Sequence, residues 1–524
     1  MAATDASIAL NRFGLGARPD ESIPDNPKAW LKHQIEAFDP KPAAIAAVPT
    51  RPKVAGELAD FYEQQRQLRQ MGLGRRQQQQ RAATAPIPPG QPGMVQAAAP
   101  QDMAMRPSAA VVPPGTPEPG AKAPPDAGDP LKAARQFVGS QVRDDYAVAV
   151  GARVGAAITS PAPFADRLTH FWANHFAVSA DKLEVIGLSG LLEFEAIRPN
   201  LTGKFGDMLN AVERHPAMLL YLDQAVSVGP NSMAGQVAGR RARPGTIGLN
   251  ENLAREIMEL HTLGVRTGYT QADVTEFARA LTGWTVKGIG RGAGARLAGI
   301  DDGQPGDFAF AERLHEPGER NIIGRKYGQD GEKQAQAVLD TLATSPATAQ
   351  HIATKLARHF AGDTPPRALV QRLQSSFMQT GGDLPSLYRV LIDSPECWVP
   401  QPVKFKSPWE WTVSTYRALG MKQVQPLAAV GLLNQLGQPT WKPGSPAGYD
   451  DIAASWAGPD ALVRRVEASE RFATRAGATV DPRALALKLF PNSLTPATEQ
   501  ALARAESPGQ ALALLLVSPE MLRR

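Results

Sequence analysis

IGLNENLAREIMELHTLGVRTGYTQADVTEFARALTGWT, residues 247–285, interleaves polar groups with apolar positions at helical spacing, and its reading decides the fold class. Asn250 is placed to cap a helix in which Leu253, Ile257 and Leu260 recur every three or four residues, with Gly264 as its stop. Thr270 starts a second helix, Asp273 three residues on gives a loose capping box, and Val274, Phe277, Ala278 and Leu281 form its apolar face before Gly283 and Trp284. Two amphipathic helices joined by a turn predict a mainly α fold. On the first helix Asn252, Arg255, Glu256 and Glu259 share one side, and His261 lies just past its end.

Outward from this pair, helical spacing continues. Before it come helices near 5–39, 52–81, 131–159, 164–178, 185–197 and 201–212. After it come Ala335 to Leu342, Pro346 to Phe360, Pro366 to Thr380 and Leu384 to Ile392. Ser345-Pro346, Ser394-Pro395 and Ser518-Pro519 repeat one start signal, a serine cap followed by proline at the first helical position. The β signal is confined to Phe308 and Phe310, expected to pair with Asn321 to Gly324 as a small hairpin around His315-Glu316-Pro317-Gly318. Residues 82–130 are dense in Pro, Gly and Ala without periodicity, and are expected to be a disordered insertion. The expected organisation is a single large multi-helix domain: N-terminal helices at 1–81, the insertion at 82–130, a core region at 131–400 carrying the site, and a C-terminal helical region at 401–524.

Composition narrows the function. At 43% hydrophobic and 20% charged residues the chain can bury a core, and a net charge of +5 over 524 residues with dispersed Lys and Arg gives no expectation of specific nucleic-acid binding. The local exception is Arg240, Arg241 and Arg243 in a Gly-rich loop. Cys397 stands alone, so neither an intrachain disulfide nor a thiolate metal cluster can form. No window offers the roughly 20 apolar residues of a spanning helix, and no leader pattern opens the sequence. As written the chain is expected in the cytoplasm; a periplasmic or exported form stripped of a leader would read the same way.

RLTHFWANHFAVS at 167–179 accompanies the central pair, with ALNRFGLGARP at 9–19, HPAMLLYLD at 215–223, HEPGERNIIG at 315–324, KFKSPWEWTVSTYRALG at 404–420 and LLLVSPEMLRR at 514–524. Together these segments resemble the bacterial domain of unknown function 1800 family. The resemblance implies a mostly helical domain, often encoded beside a second uncharacterised, secreted-type protein, and names no activity.

Standard catalytic signatures are absent: no Gly-x-Ser-x-Gly elbow, no phosphate-binding loop, no His-Glu-x-x-His and no Cys-x-x-Cys, while GIGRGAG at 288–294 lacks a preceding strand. Function is therefore sought in constellations. Glu256 and Glu259 with His261 could serve as acid and base, and His170, His175, Glu256 and His315 could hold a divalent metal, making a hydrolase-like enzyme. The same residues could instead form a structural network around Arg255 and Glu259. Asn174, Asn250, Asn252, Arg255, Trp172 and Trp284 are expected to orient the site. Two other classes stay open: an assembly or export partner of the adjacent gene product, and a polysaccharide-binding protein whose loop tryptophans, Trp441 and Trp456, line a cleft. His351 and His359, eight apart on one helix, read as ordinary helix residues.

Overall fold

Proline at the first helical turn punctuates the chain. It opens the helices Pro163–His175, Pro346–Ala361, Pro408–Ala418, Pro482–Leu489, Pro496–Arg504 and Pro508–Leu516, where its missing N–H costs nothing and its fixed φ suits the helix. Ser345, Ser407, Asp481, Thr495 and Ser507 supply the preceding side-chain caps. Ser394-Pro395 departs from the pattern by starting only a three-residue 3₁₀ turn without a side-chain cap.

The computed structural model describes residues 4–71, 130–241, 248–289, 303–476 and 480–524. The expected disordered insertion at 82–130, most of GIGRGAG and the end of the basic loop lie outside them, apart from Pro130 at the edge. The fold is mainly α, as the periodicity predicts, with two small antiparallel two-stranded sheets among the described residues. The chain divides into two compact units, Met1–Ala59 with Gly139–Arg524, and Asp60–Val138. Of the second unit the described part is the end of the Arg51–Gln70 helix and the start of the Pro130–Thr159 helix.

The pairing of the strands corrects the expected hairpin. Phe308–Phe310 pairs with Trp284–Val286, Trp284 facing Phe310, while Arg320–Ile322 folds back on Arg325–Tyr327. Ile323 and Gly324 both take positive φ between the latter strands, the twisted two-residue turn that matches strand twist. Gly283, at φ +91°, lets Phe310 cross its backbone, since a Cβ there would lie 2.7 Å from the Phe310 ring.

The first unit is tied together by its N-terminal Arg12-Phe13-Gly14-Leu15-Gly16 segment, the end of the π turn Ala9–Phe13 and the loop that follows it. Phe13 packs at 5.7, 5.4 and 4.9 Å from the rings of Phe164, Phe360 and Trp398. Burying such a ring is worth roughly 1.5–3 kcal/mol. The loop's backbone carbonyls are met by buried arginines from distant helices: Arg167 donates to Gly14 O at 2.9 and 2.7 Å, and Arg417 to Gly16 O at 2.7 Å. Arg12 in turn donates to the carbonyls of Cys397, Val399 and Gln401 at 2.8, 2.8 and 2.6 Å. Loop carbonyls that helix or sheet ladders would otherwise satisfy find their partners here.

Candidate functional site

The helix Pro163–His175 carries two histidines. At five residues apart, His170 and His175 would point about 140° away from each other on a continuing helix. Both lie within the helix, whose C-cap is Phe176, so they diverge round its axis, yet His170, Asn174 and His175 all contribute to the lining of one cleft. That cleft holds about 1020 Å³ of empty space counting its open mouth, and it is walled by the start of the Pro408–Ala418 helix, the Pro346–Ala361 helix and the 438–456 loop.

Each polar group around it has an assignable state. Trp409 donates its indole N–H to His170 Nδ1 at 2.8 Å, so the neutral His170 carries its proton on Nε2. Burial, then Arg153 and Arg198, holds the His170 pKa well below the usual range and keeps it neutral. His175 Nε2 lies 3.1 Å from the His261 carbonyl, which can only accept, so Nε2 bears the proton and Nδ1 accepts from Lys355 Nζ at 2.9 Å. Burial lowers Lys355 to about 8. Asn174 grips the loop opposite: its amide donates to Tyr449 O at 2.8 Å and its oxygen accepts from Tyr449 N at 2.7 Å.

His359 completes the wall. Its Nδ1 stands 2.9 Å from Asp451 Oδ2, while its Nε2 is shut from solvent and has no protein partner. Asp451 is held by Lys404 Nζ at 3.0 Å from Oδ1. Burial by itself would raise the Asp451 carboxyl, and His359, Lys404 and Arg524 outweigh it, keeping it ionised. The His359 imidazole is lowered to about 4, burial outweighing the attraction of Asp451. The result is a neutral imidazole, oriented by a carboxylate, with a free ring nitrogen.

Behind this wall Glu410, whose N–H is capped by Ser407, faces Arg167 and, at 2.8 Å, Arg524 Nε. Burial alone would raise the Glu410 carboxyl; Arg524 and Arg167 hold it well below the carboxylate range. On the far side Arg153 lies between Trp409 and Trp441, 4.2 and 5.1 Å from their rings, and 2.7 Å from Glu193. Trp441 Nε1 donates to Glu193 at 2.9 Å and is nearly buried; Tyr449 and Trp456, 6.0 Å apart, are the half-buried rings at the loop.

The stripe at 252–259 lies elsewhere. The expected Asn250 cap is displaced by one: Glu251 is the N-cap residue and makes no side-chain cap, while Asn250 before it accepts from Asn252 N at 2.8 Å; the α-helix runs only over Asn252–Glu256 and continues as a π turn over Ile257–His261. A π turn shifts later residues by about one position, roughly 100° round the axis. That turns His261 into the core, where Nδ1 meets the buried Glu213 at 2.7 Å. Arg255 joins Glu251 at 3.1 Å and Glu259 at 3.8 Å, Asn252 is exposed, and no described residue hydrogen-bonds the half-buried Glu256. Burial, then the neighbouring Glu259 against His261, raises the Glu256 carboxyl.

His315 sits on its loop with Nδ1 donating to Thr282 O at 2.8 Å. Trp172 is buried, donating to the Tyr388 hydroxyl at 2.8 Å, and Trp284 is buried under Arg214. The lining of the cleft thus includes His170, Asn174 and His175 but not Glu256, Glu259, His261 or His315. Among the described residues no three His, Cys, Asp or Glu side chains are grouped to hold a metal ion. The candidate metal set is not brought together. His359 and Asp451 escaped the sequence reading because they are 92 residues apart and carry no shared spacing.

A family model described as a protein of unknown function (DUF1800) matches residues 8–523. The chain belongs to this family. Neither curated proteins nor solved structures give a match. The segments of this DUF1800 chain that carry the resemblance, RLTHFWANHFAVS and KFKSPWEWTVSTYRALG, are those that build the cleft, through His170, Asn174, His175, Ser407, Trp409 and Glu410. No helix among the described residues is long and apolar enough to cross a membrane.

Proposed function

We propose that this DUF1800 chain is a hydrolase-like enzyme in which His359, oriented by Asp451, removes a proton from an attacking water. The observation that carries the reading is a neutral, carboxylate-fixed imidazole in the lining of the cleft whose Nε2 has no protein partner among the described residues; that nitrogen is enclosed, so the ring or its neighbours must shift to admit the water. Water attacks the substrate's electrophilic carbon and its proton passes to His359 Nε2. The bond to the leaving group breaks, and the imidazolium returns the proton to the leaving atom. Asp451 stabilises the transient imidazolium without taking its proton. His170, neutral and with Nε2–H remaining after Trp409 has taken Nδ1, supplies a donor for the oxygen on which negative charge develops.

The test begins with the full chain against chromogenic esters, peptides and glycosides. For whichever class is turned over, His359→Gln and Asp451→Asn are expected to lower kcat by about 10²–10⁴ with an unchanged circular dichroism spectrum. Full rate in folded His359→Gln protein would sink the reading. Tyr449 and Trp456, half-buried rings at the same cleft, favour polysaccharide binding as the second reading. Pull-down on insoluble polysaccharide that survives His359→Gln and is lost in Trp456→Ala, with no turnover of any substrate, would support it instead.

A further inference from the structure

The helix Pro346–Ala361 presents a second face that the proposed chemistry does not use. His351, Lys355 and Arg358 follow at intervals of four and three, which places them on one side of the helix. That side lines a separate cavity of about 1220 Å³ counting its mouth, closed opposite by Gly264, Val265 and Thr267 of the turn after the π turn. Gly264 is needed there because a Cβ would lie 2.5 Å from His351 Nδ1.

The cavity brings two cations and an imidazole together. Lys355 Nζ gives one hydrogen to His175 and has two left. Arg358 pairs with no carboxylate among the described residues, and its Nε is shut from solvent without a protein acceptor. His351 Nε2 is likewise enclosed without a protein partner. Of the two acids in the lining, Asp451 is paired with His359 and Lys404, and the exposed Asp450 accepts from the Ser455 hydroxyl at 2.8 Å. Two cations and an imidazole on one half-buried face, none of them ion-paired with a carboxylate among the described residues, favour an acceptor-rich ligand.

We infer that this cavity is an anion-binding site for a phosphate or carboxylate group, held by Arg358, Lys355 and His351. The inference rests on the cavity's own donors and holds whether or not His359 is catalytic. Arg358 supplies the planar fork that suits either anion, and Lys355 a point charge beside it. Asn174, Lys355, Tyr449, Asp450 and Asp451 line both this cavity and the cleft, so a bound anion would lie one side chain away from the His359 wall.

The test is calorimetric titration of the full chain with inorganic phosphate and, separately, succinate, at ionic strength held constant with sodium chloride. Saturable binding of phosphate alone identifies a phosphate group, of succinate alone a carboxylate, and of both a site that takes either. Arg358→Gln should weaken the binding at least tenfold. No saturable binding of either anion, or wild-type affinity in Arg358→Gln, overturns the assignment. Should that variant fail to fold, the ¹⁵N resonances of the His351 ring in wild-type protein decide. Movement on adding the anion supports the site, and no movement overturns it.

Discussion

At the scale of single residues, two glutamates separate what spacing can reveal from what it cannot. Glu256 stands in the stripe that the sequence singles out, yet it is a half-buried carboxylate whose pKa is raised, burial first. A group raised in the folded state stabilises below its unfolded pKa, and that contribution is lost as pH rises through the folded value. At pH 7 Glu256→Gln should therefore leave stability unchanged or raise it by up to about 1 kcal/mol in a urea melt. A loss of roughly 1–3 kcal/mol would restore the structural-network reading, and lost activity or metal binding with the fold intact would restore the carboxylate site. Glu410 carries no stripe signature, yet it is the carboxylate faced by Arg167 and Arg524, with Lys406 and Arg465 close enough to feel it. Glu410→Gln leaves these buried cations facing one another and is expected to cost about 3–5 kcal/mol. A thermal melt within a degree of wild type would contradict that.

At the scale of elements, the helices were legible and their junctions were not. Thr270 and Asp273 form the capping box that their spacing suggests, and the helix Gln271–Leu281 buries Val274, Phe277, Ala278 and Leu281. The π turn at Ile257–His261 has no signature in local spacing, because Leu253, Ile257 and Leu260 fit an uninterrupted α-helix equally well. The partner that draws His261 inward, Glu213, is 48 residues away. The cleft's loop was invisible for the same reason: the hydrogen bonds of Asn174 to Tyr449 span 275 residues. Gly448, at φ +78°, sits so close to the Asn174 carbonyl that a Cβ would approach it to 2.3 Å. Gly448→Ala should thus push the loop outward, costing roughly 1–3 kcal/mol and speeding amide exchange across 442–456. Unchanged exchange there would show that the loop is held without Asn174.

At the scale of the whole molecule, acid should find the weak point. His351 and His359 are lowered to about 4, burial first, and His170 and His175 lie well below their ordinary range. A lowered folded pKa means stability present above the unfolded pKa, near 6.5, and lost as pH falls toward the folded value. Glu410 and Asp451, both depressed, act in the same direction at lower pH. Stability should therefore fall between about pH 6.5 and 4, His351 and His359 each contributing on the order of 3 kcal/mol. Denaturant midpoints flat across that window would refute the burial of these rings. The Arg12-to-Gly16 segment has a different implication, which concerns time. Its partners lie far downstream: Arg12 is 385 residues from Cys397, Leu15 is 399 from Ser414 and Gly16 is 401 from Arg417. Such long-range closures are slow, and a chain being synthesised must carry Phe13 without Phe360 and Trp398, and Gly16 without Arg417, until those residues have been made. Nascent chains of this protein should accordingly depend on chaperones that shield an early apolar segment, and ribosome-stalled intermediates should stay protease-sensitive at residues 9–19 until the late helix emerges.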